Sequence, residues 1–331
     1  MRRTTRWLAG CLGLVSAVAC GGGEGGSPPT TGPGPTTPTT PTIPAPLIPA
    51  GPFTPGQSYF GRDNYIEYIA GNSPVILTAP HGGTIQPGEI ASRSCGTNAF
   101  DTNTQELVRA MQSQYFRITG KYPHVVINRL SRAKLDANRD SAEATCGDRR
   151  AGVAWTEWQA MIAIARTAAL ESGGGKGWFM DMHGHAHAIA RLELGYLLTS
   201  AQLDLPDAQL DASTQYENVS SIRTLSAANA SLSFSQLLRG PNSLGALYAR
   251  NGIRSIPSDS AADRSPGTAD YFNGGYNTQR YTCRDGGGIC GVQIETHFTG
   301  VRDTPDNRAR FGEITANVLR TYLELHWGLK L

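Results

Sequence analysis

From Ser58 onward, short apolar runs alternate with longer segments whose apolar residues recur every three or four positions. Val75-Ile76-Leu77-Thr78-Ala79, His124-Val125-Val126-Ile127-Asn128, Trp178-Phe179-Met180-Asp181-Met182, Leu194-Gly195-Tyr196-Leu197-Leu198 and Val292-Gln293-Ile294-Glu295 have the length and composition of buried strands. Between them, Leu107, Val108, Met111 and Tyr115 share one helical face; Trp155, Trp158, Ile162 and Ala165 share another, which stops at Gly173-Gly174-Gly175. Near the end, Thr304 can cap, Pro305 suits a first helical position, and Phe311, Ile314, Val318, Tyr322 and Leu325 predict a last amphipathic helix. This alternation predicts an α/β domain, a three-layer αβα arrangement around a mixed, largely parallel sheet. From Gln202 to Asn273 the Ser-, Ala- and Gly-rich sequence is compatible with a lid, an insertion or core, and Tyr216, Tyr271 and Tyr276 are candidates to line a cleft.

The N-terminal fifth follows a different pattern. Arg2, Arg3 and Arg6 precede an apolar stretch, Trp7 to Ala19, that is too short to span a bilayer and has the layout of an export signal. Cys20, followed by three glycines, resembles a lipoprotein processing site; Leu8-Ala9-Gly10-Cys11 is a second such sequence, and cleavage after Ala17-Val18-Ala19 with free secretion is the alternative. A diacylated Cys20 would hold the chain on a membrane surface. Residues 21–57 are mostly Gly, Pro, Thr and Ser, with too little to bury to offset their ordering entropy. The expected organisation is a signal peptide at 1–20, a tether at 21–57 and a catalytic domain at 58–331.

Charge then narrows the partners. Of 29 basic residues three lie in the leader, which leaves 26 against 27 acidic ones, and that balance excludes a strongly basic nucleic-acid binder. Membrane contact is expected only through Cys20. Past the leader, Cys95, Cys146, Cys283 and Cys290 form no CxxC pair, and export makes disulfides the default. The short loop between Cys283 and Cys290 favours their pairing, with Cys95–Cys146 left over; the other two connectivities stay open.

In sheets of this kind ligands bind beyond the carboxyl ends of strands. Pro80-His81-Gly82-Gly83, His183-Gly184-His185-Ala186-His187 and Glu295-Thr296-His297 each follow an apolar run. Imidazoles and a carboxylate at such a rim are what a catalytic zinc takes, three protein ligands with one position open. His185 and His187 read as outer or substrate-facing groups, whereas His124 inside a strand and His326 at a helix end read as structural.

These residues carry a family resemblance. Ala79-Pro80-His81-Gly82-Gly83, Asp101 ahead of Glu106-Leu107, Ser131-Arg132-Ala133-Lys134-Leu135-Asp136-Ala137-Asn138-Arg139, Asp181-Met182-His183 and Gln293-Ile294-Glu295, in that order, resemble the N-formylglutamate amidohydrolase family over about residues 58–326. That family has a zinc-carboxypeptidase-like (phosphorylase/hydrolase-like) fold. The resemblance implies one zinc per chain held by His81, Asp101 and His183. Glu89 and Glu106 are the other candidates for the acidic ligand, because Thr84 stands where carboxypeptidases carry theirs. It further implies Glu295 as the general base that moves a proton from water to the leaving nitrogen, Arg132 as the group facing the developing oxyanion, and Asn138 with Arg139 as the grip on a substrate carboxylate. The alternative for the arginines is surface pairing with Asp136, Asp140 and Glu143; Arg129 and Lys134 add further donors.

The expected function is an exported zinc hydrolase cleaving an amide C–N bond in a small carboxylate-bearing N-acyl amino acid or peptide. N-formylglutamate belongs to intracellular histidine breakdown, so an exported enzyme points instead to another N-acyl amino acid, a γ-glutamyl polymer or a wall peptide. The rivals are a carboxypeptidase-like metallopeptidase and a surface lipoprotein whose metal holds loops together without turnover.

Overall fold

Eight strands and the helices between them account for most of residues 42–331, which the computed structural model describes. The leader, Cys20 and the tether up to residue 41 lie outside the described residues. The strands are β1 (Ser58–Phe60), β2 (Ile66–Ile69), β3 (Val75–Ala79), β4 (His124–Asn128), β5 (Gly177–Gly184), β6 (Leu192–Gly195), β7 (Ser255–Ile256) and β8 (Ile289–Thr296). They form one sheet in the order β1-β2-β4-β3-β5-β8-β6-β7. β4, β3, β5 and β8 run parallel, while β2 is antiparallel to β4 and β6 to β8. The sheet is therefore mixed with a parallel centre, as expected, and its central carboxyl ends point to one rim.

Each central strand feeds two cores, because successive side chains leave a strand on opposite faces. Val75, Leu77, Trp178 and Met180 pack with the helices Thr104–Thr119 and Pro305–Trp327; Ile76, Val126 and Phe179 pack with the helix Arg149–Ser172. Strands covered on both faces read as unbroken apolar runs, which is why the sequence reveals them. The edge strands β1 and β7, and β2 beside β1, are short and carry no such run. The predicted strand Leu194–Leu198 is corrected to Leu192–Gly195: Leu197 has φ 67° and turns the chain away.

The last helix starts as expected, the Thr304 hydroxyl accepting the Asn307 N–H and Pro305 following it. Its buried face ends at His326 and Trp327, not at Leu325, which is exposed. Residues 43–57, expected in the tether, belong to the compact unit. The Leu47 N–H donates to the buried Glu157 at 2.7 Å, and Phe53 meets Tyr59 and Tyr68 edge-on. The span from 202 to 273 is core in part: short helices between Ser200 and Arg250 bury Leu203, Leu225, Leu237, Leu244 and Tyr248 in the same cluster as the last helix. Tyr271 is tied down by donating to the Leu194 carbonyl, Tyr216 packs on the core, and Tyr276 lines a pocket. Cys95–Cys146 and Cys283–Cys290 are both bridged. Among the described residues no helix is long and apolar enough to cross a membrane.

Candidate metal centre and its cavity

The glycines after His81 are required by close packing. A Cβ at Gly82 would collide with the Thr104 hydroxyl, and one at Gly83 with the Leu130 carbonyl, so only glycine lets the chain leave β3 between those elements. β5 supplies Asp181 and His183 on one face through its two-residue period. In register beside them β8 brings Gln293 opposite Asp181 and Glu295 opposite His183. Asp101 arrives from the loop ahead of the helix Thr104–Thr119.

These residues converge. Asp101 Oδ2 lies 3.4 Å from His81 Nδ1 and 3.2 Å from His183 Nδ1, and it accepts the Gly184 N–H at 3.2 Å. The two imidazole rings stand edge to face with centroids 4.8 Å apart. Each ring is held from behind by a buried carboxylate: His81 Nε2–H donates to Asp136 at 2.7 Å and His183 Nε2–H to Asp181 at 2.9 Å. That is the arrangement by which outer carboxylates fix the tautomer and direction of metal-binding histidines. All three residues are buried, and their ligand atoms lie within 4.8 Å of one another. His81 Nδ1, with Asp101 Oδ2 3.4 Å away, makes no hydrogen bond of good geometry among the described residues. The donor set of two imidazole nitrogens and one carboxylate oxygen fits zinc.

The charges are tightly balanced. Burial would raise the Asp101 carboxyl, but His81 and His183 hold it well below the usual range. Burial disfavours charge on His183, yet Asp181 and Asp101 raise it well above an ordinary histidine. A divalent ion bound here would displace the Nδ1 proton, so its affinity would depend on pH. Glu89, bonded to Tyr65, and Glu106 are both exposed, which leaves Asp101 as the acid that meets the histidines.

Glu295 is buried, its Oε1 4.0 Å from His183 Nδ1 and accepting from Gln293 Nε2 at 3.0 Å. Burial pushes its carboxyl up to about 8, opposed by His183 and aided by Asp101. Arg132 donates from Nε to Asp136 at 2.9 Å and holds Nη1 3.9 Å from Asp101 Oδ1. Asn138 and Arg139 part company. Asn138 is buried, its Oδ1 accepting the Asn277 N–H at 2.7 Å and its Nδ2 donating to Gln293 Oε1 at 3.5 Å, so its amide ties this segment to β8 beside the centre. Arg139 is half-buried, pairs with Glu143 at 3.0 Å and lines the cavity. The expected surface pairing thus holds for Glu143, while Asp136 is interior and Asp140 caps the helix Ser141–Thr145. Lys134 and Arg129 lie away from the cavity, bonded to the carbonyls of Ile90 and Asn64.

Sequence reasoning missed four supporting groups. Asp181 could have been found from its alternation with His183; Asp136 has no local signal. Arg302 donates to the carbonyls of Thr296 and His185, each at 3.1 Å, and to that of Thr102, tying together the three segments that carry Glu295, His183 and Asp101. Arg93 similarly joins the Cys95, Thr97, Arg132 and Glu143 carbonyls. Four of the other histidines are engaged by the protein, while His297 Nδ1 has no partner among the described residues. His185 Nε2 meets the Arg191 carbonyl at 2.8 Å and His187 Nδ1 meets Glu193 at 2.9 Å, forming a second His-His-Glu group on the same rim. His124 accepts the Gly71 N–H, and His326 Nε2 bonds to the Asn242 carbonyl, both structural as expected.

The centre forms the floor of a cavity of about 860 Å³ that also takes in Glu295, Arg132, Arg139 and His297. No family model, curated protein or solved structure matches this chain.

Proposed function

We propose that the protein is an exported zinc hydrolase, one zinc per chain, that cleaves an amide C–N bond in a carboxylate-bearing N-acyl amino acid or peptide. The proposal keeps the likeness to the N-formylglutamate amidohydrolase family and its zinc-carboxypeptidase-like fold. The observation that carries it is the pair of carboxylate-backed imidazoles converging with Asp101, one Nδ1 without a hydrogen bond of good geometry, beside a buried glutamate at the floor of a cavity. His81, Asp101 and His183 would hold the ion. Zinc bound there would polarise the scissile carbonyl and bring the pKa of a water from about 15.7 towards about 7.

The chain's own groups supply the rest. Glu295 accepts a proton from the attacking water on one Oε and returns it to the leaving nitrogen, so the acyl carbon gains OH and the amine departs neutral. Burial raises this carboxyl in the metal-free protein and a bound cation beside it would lower it again, towards the range in which one group both takes and returns a proton at neutral pH. Arg132, anchored by Asp136, faces the oxygen that gains charge, and Arg139 exchanges Glu143 for the substrate carboxylate. Asn138 holds Gln293, the residue that donates to Glu295. Two disulfides suit the oxidising side of a membrane, in keeping with an export leader and, through Cys20, a lipid anchor.

Metal analysis of the purified protein should give about one zinc per chain. Glu295→Gln should keep that zinc and lose about 10²–10⁴-fold in hydrolysis. Full activity in that variant would reject the base assignment; bound zinc without turnover on acyl-amino-acid and peptide panels would leave a binding protein.

A further inference from the structure

The rim of the cavity is apolar in a way the chemistry at its floor does not require. Three of the nine exposed large hydrophobic side chains among the described residues line this one cavity: Phe100, Phe272 and Phe298, exposed by 45 %, 45 % and 42 %. They come from three separate segments, so chance clustering along the chain does not explain them. Two of the rings have a partner, and the third sits on a braced segment. Phe272 stacks on His187 with centroids 4.6 Å apart, and the Arg302 guanidinium sits 5.4 Å from the centre of the Phe298 ring. Phe100 adjoins Asp101 in the segment that Arg93 and the Cys95–Cys146 bridge fix. Aromatic surface grouped at the mouth of a pocket and left in water marks a contact for an apolar ligand. The volume agrees: about 860 Å³ is in the upper part of the range for drug-sized ligands, far more than a formyl or acetyl group fills.

We infer that the substrate carries a bulky apolar group, aromatic or of about six or more carbons, on the acyl side of the amide, and that Phe100, Phe272 and Phe298 form its subsite. Arg139 then takes the carboxylate on the amine side. This assignment rests on the hydrolase reading for the bond that is cleaved, but the binding preference stands without turnover.

The test uses full-length Glu295→Gln protein loaded with zinc, titrated calorimetrically with N-acetyl and N-(4-phenylbutanoyl) derivatives of alanine, glutamate and lysine. The phenylbutanoyl compound should bind at least about tenfold tighter in one or more of the three. Phe100→Ala, Phe272→Ala and Phe298→Ala, all at exposed positions, should each cut that advantage while leaving the affinity for the acetyl compound unchanged. Equal affinity for the two acyl groups in all three backgrounds, absence of binding included, overturns the subsite, as does an advantage that none of the three alanines reduces. A clear preference together with a wild-type protein that cleaves none of the compounds would uphold the subsite and sink the hydrolase.

Discussion

Asp181→Asn tests whether the buried carboxylates make His81 and His183 into metal ligands. Asp181 has no exposed surface; its Oδ1 accepts from the Thr78 hydroxyl at 2.5 Å and from Asn277 Nδ2 at 3.4 Å, and its Oδ2 from His183 Nε2 at 2.9 Å. Asparagine has nearly the same shape but only one carbonyl oxygen. Two donors fix that oxygen at the Oδ1 position, so the amide NH₂ must face His183 Nε2. The ring then sheds its Nε2 proton and carries one on Nδ1, the nitrogen directed at Asp101 and the metal position. Losses of outer carboxylates of this kind cost about 10–100-fold in metal affinity, or about 1.4–2.7 kcal/mol. Competition for zinc against a chromophoric chelator at neutral pH would measure it, with circular dichroism and thermal unfolding of the metal-free protein confirming an intact fold. A folded Asp181→Asn protein binding zinc as tightly as wild type would refute the role assigned to the carboxylate, and with it the orientation of the histidine.

Other outcomes follow from the same coordinates. Arg302→Ala strands the buried His185 carbonyl, removes one of the two donors to the Thr296 carbonyl and releases that of Thr102, and should cost on the order of 2–3 kcal/mol in urea unfolding; Gly184→Ala, whose Cβ would collide with the Arg302 guanidinium, should be damaging for the same reason, and losses below about 1 kcal/mol in both would remove Arg302 as the tie. Burial lowers His124 to about 4, so between there and about 6.5 the unfolded chain binds more protons than the folded one. Its contribution is complete above about pH 6.5 and fades as pH falls towards about 4, so the stability gap between wild type and His124→Gln should change by about 3 kcal/mol across that window; a constant gap would contradict it. Cys95 and Cys146 are 51 positions apart and Cys283 and Cys290 only 7. Chain-entropy reasoning gives about 4 kcal/mol for the first bridge and about 2 for the second, so paired Cys→Ala replacement should destabilise in that order.

Much of this protein was set by short-range pattern. Strands buried on both faces had to be continuous apolar runs, the last helix had to start where Thr304 meets Pro305, and the chemistry had to gather at the carboxyl ends of β3, β5 and β8; His81, His183 and Glu295 follow from that logic, whereas Asp101, ahead of a helix, had only a family resemblance to mark it and was chosen over Glu89 and Glu106 by the packing. The short loop between Cys283 and Cys290 likewise favoured the pairing that is formed. What only the tertiary structure decided are contacts between residues far apart in sequence. Asp136 reaches His81 across 55 positions and Arg302 reaches Thr102 across 200. Which of two adjacent polar residues is buried is decided in the same way: Asn138 is buried because Asn277 and Gln293 meet it, while Arg139 beside it is half-buried and paired with Glu143. The physical reason is that periodicity encodes which face of an element is apolar, whereas a polar side chain takes its role from whatever the sheet register and loop packing bring within about 3 Å of it.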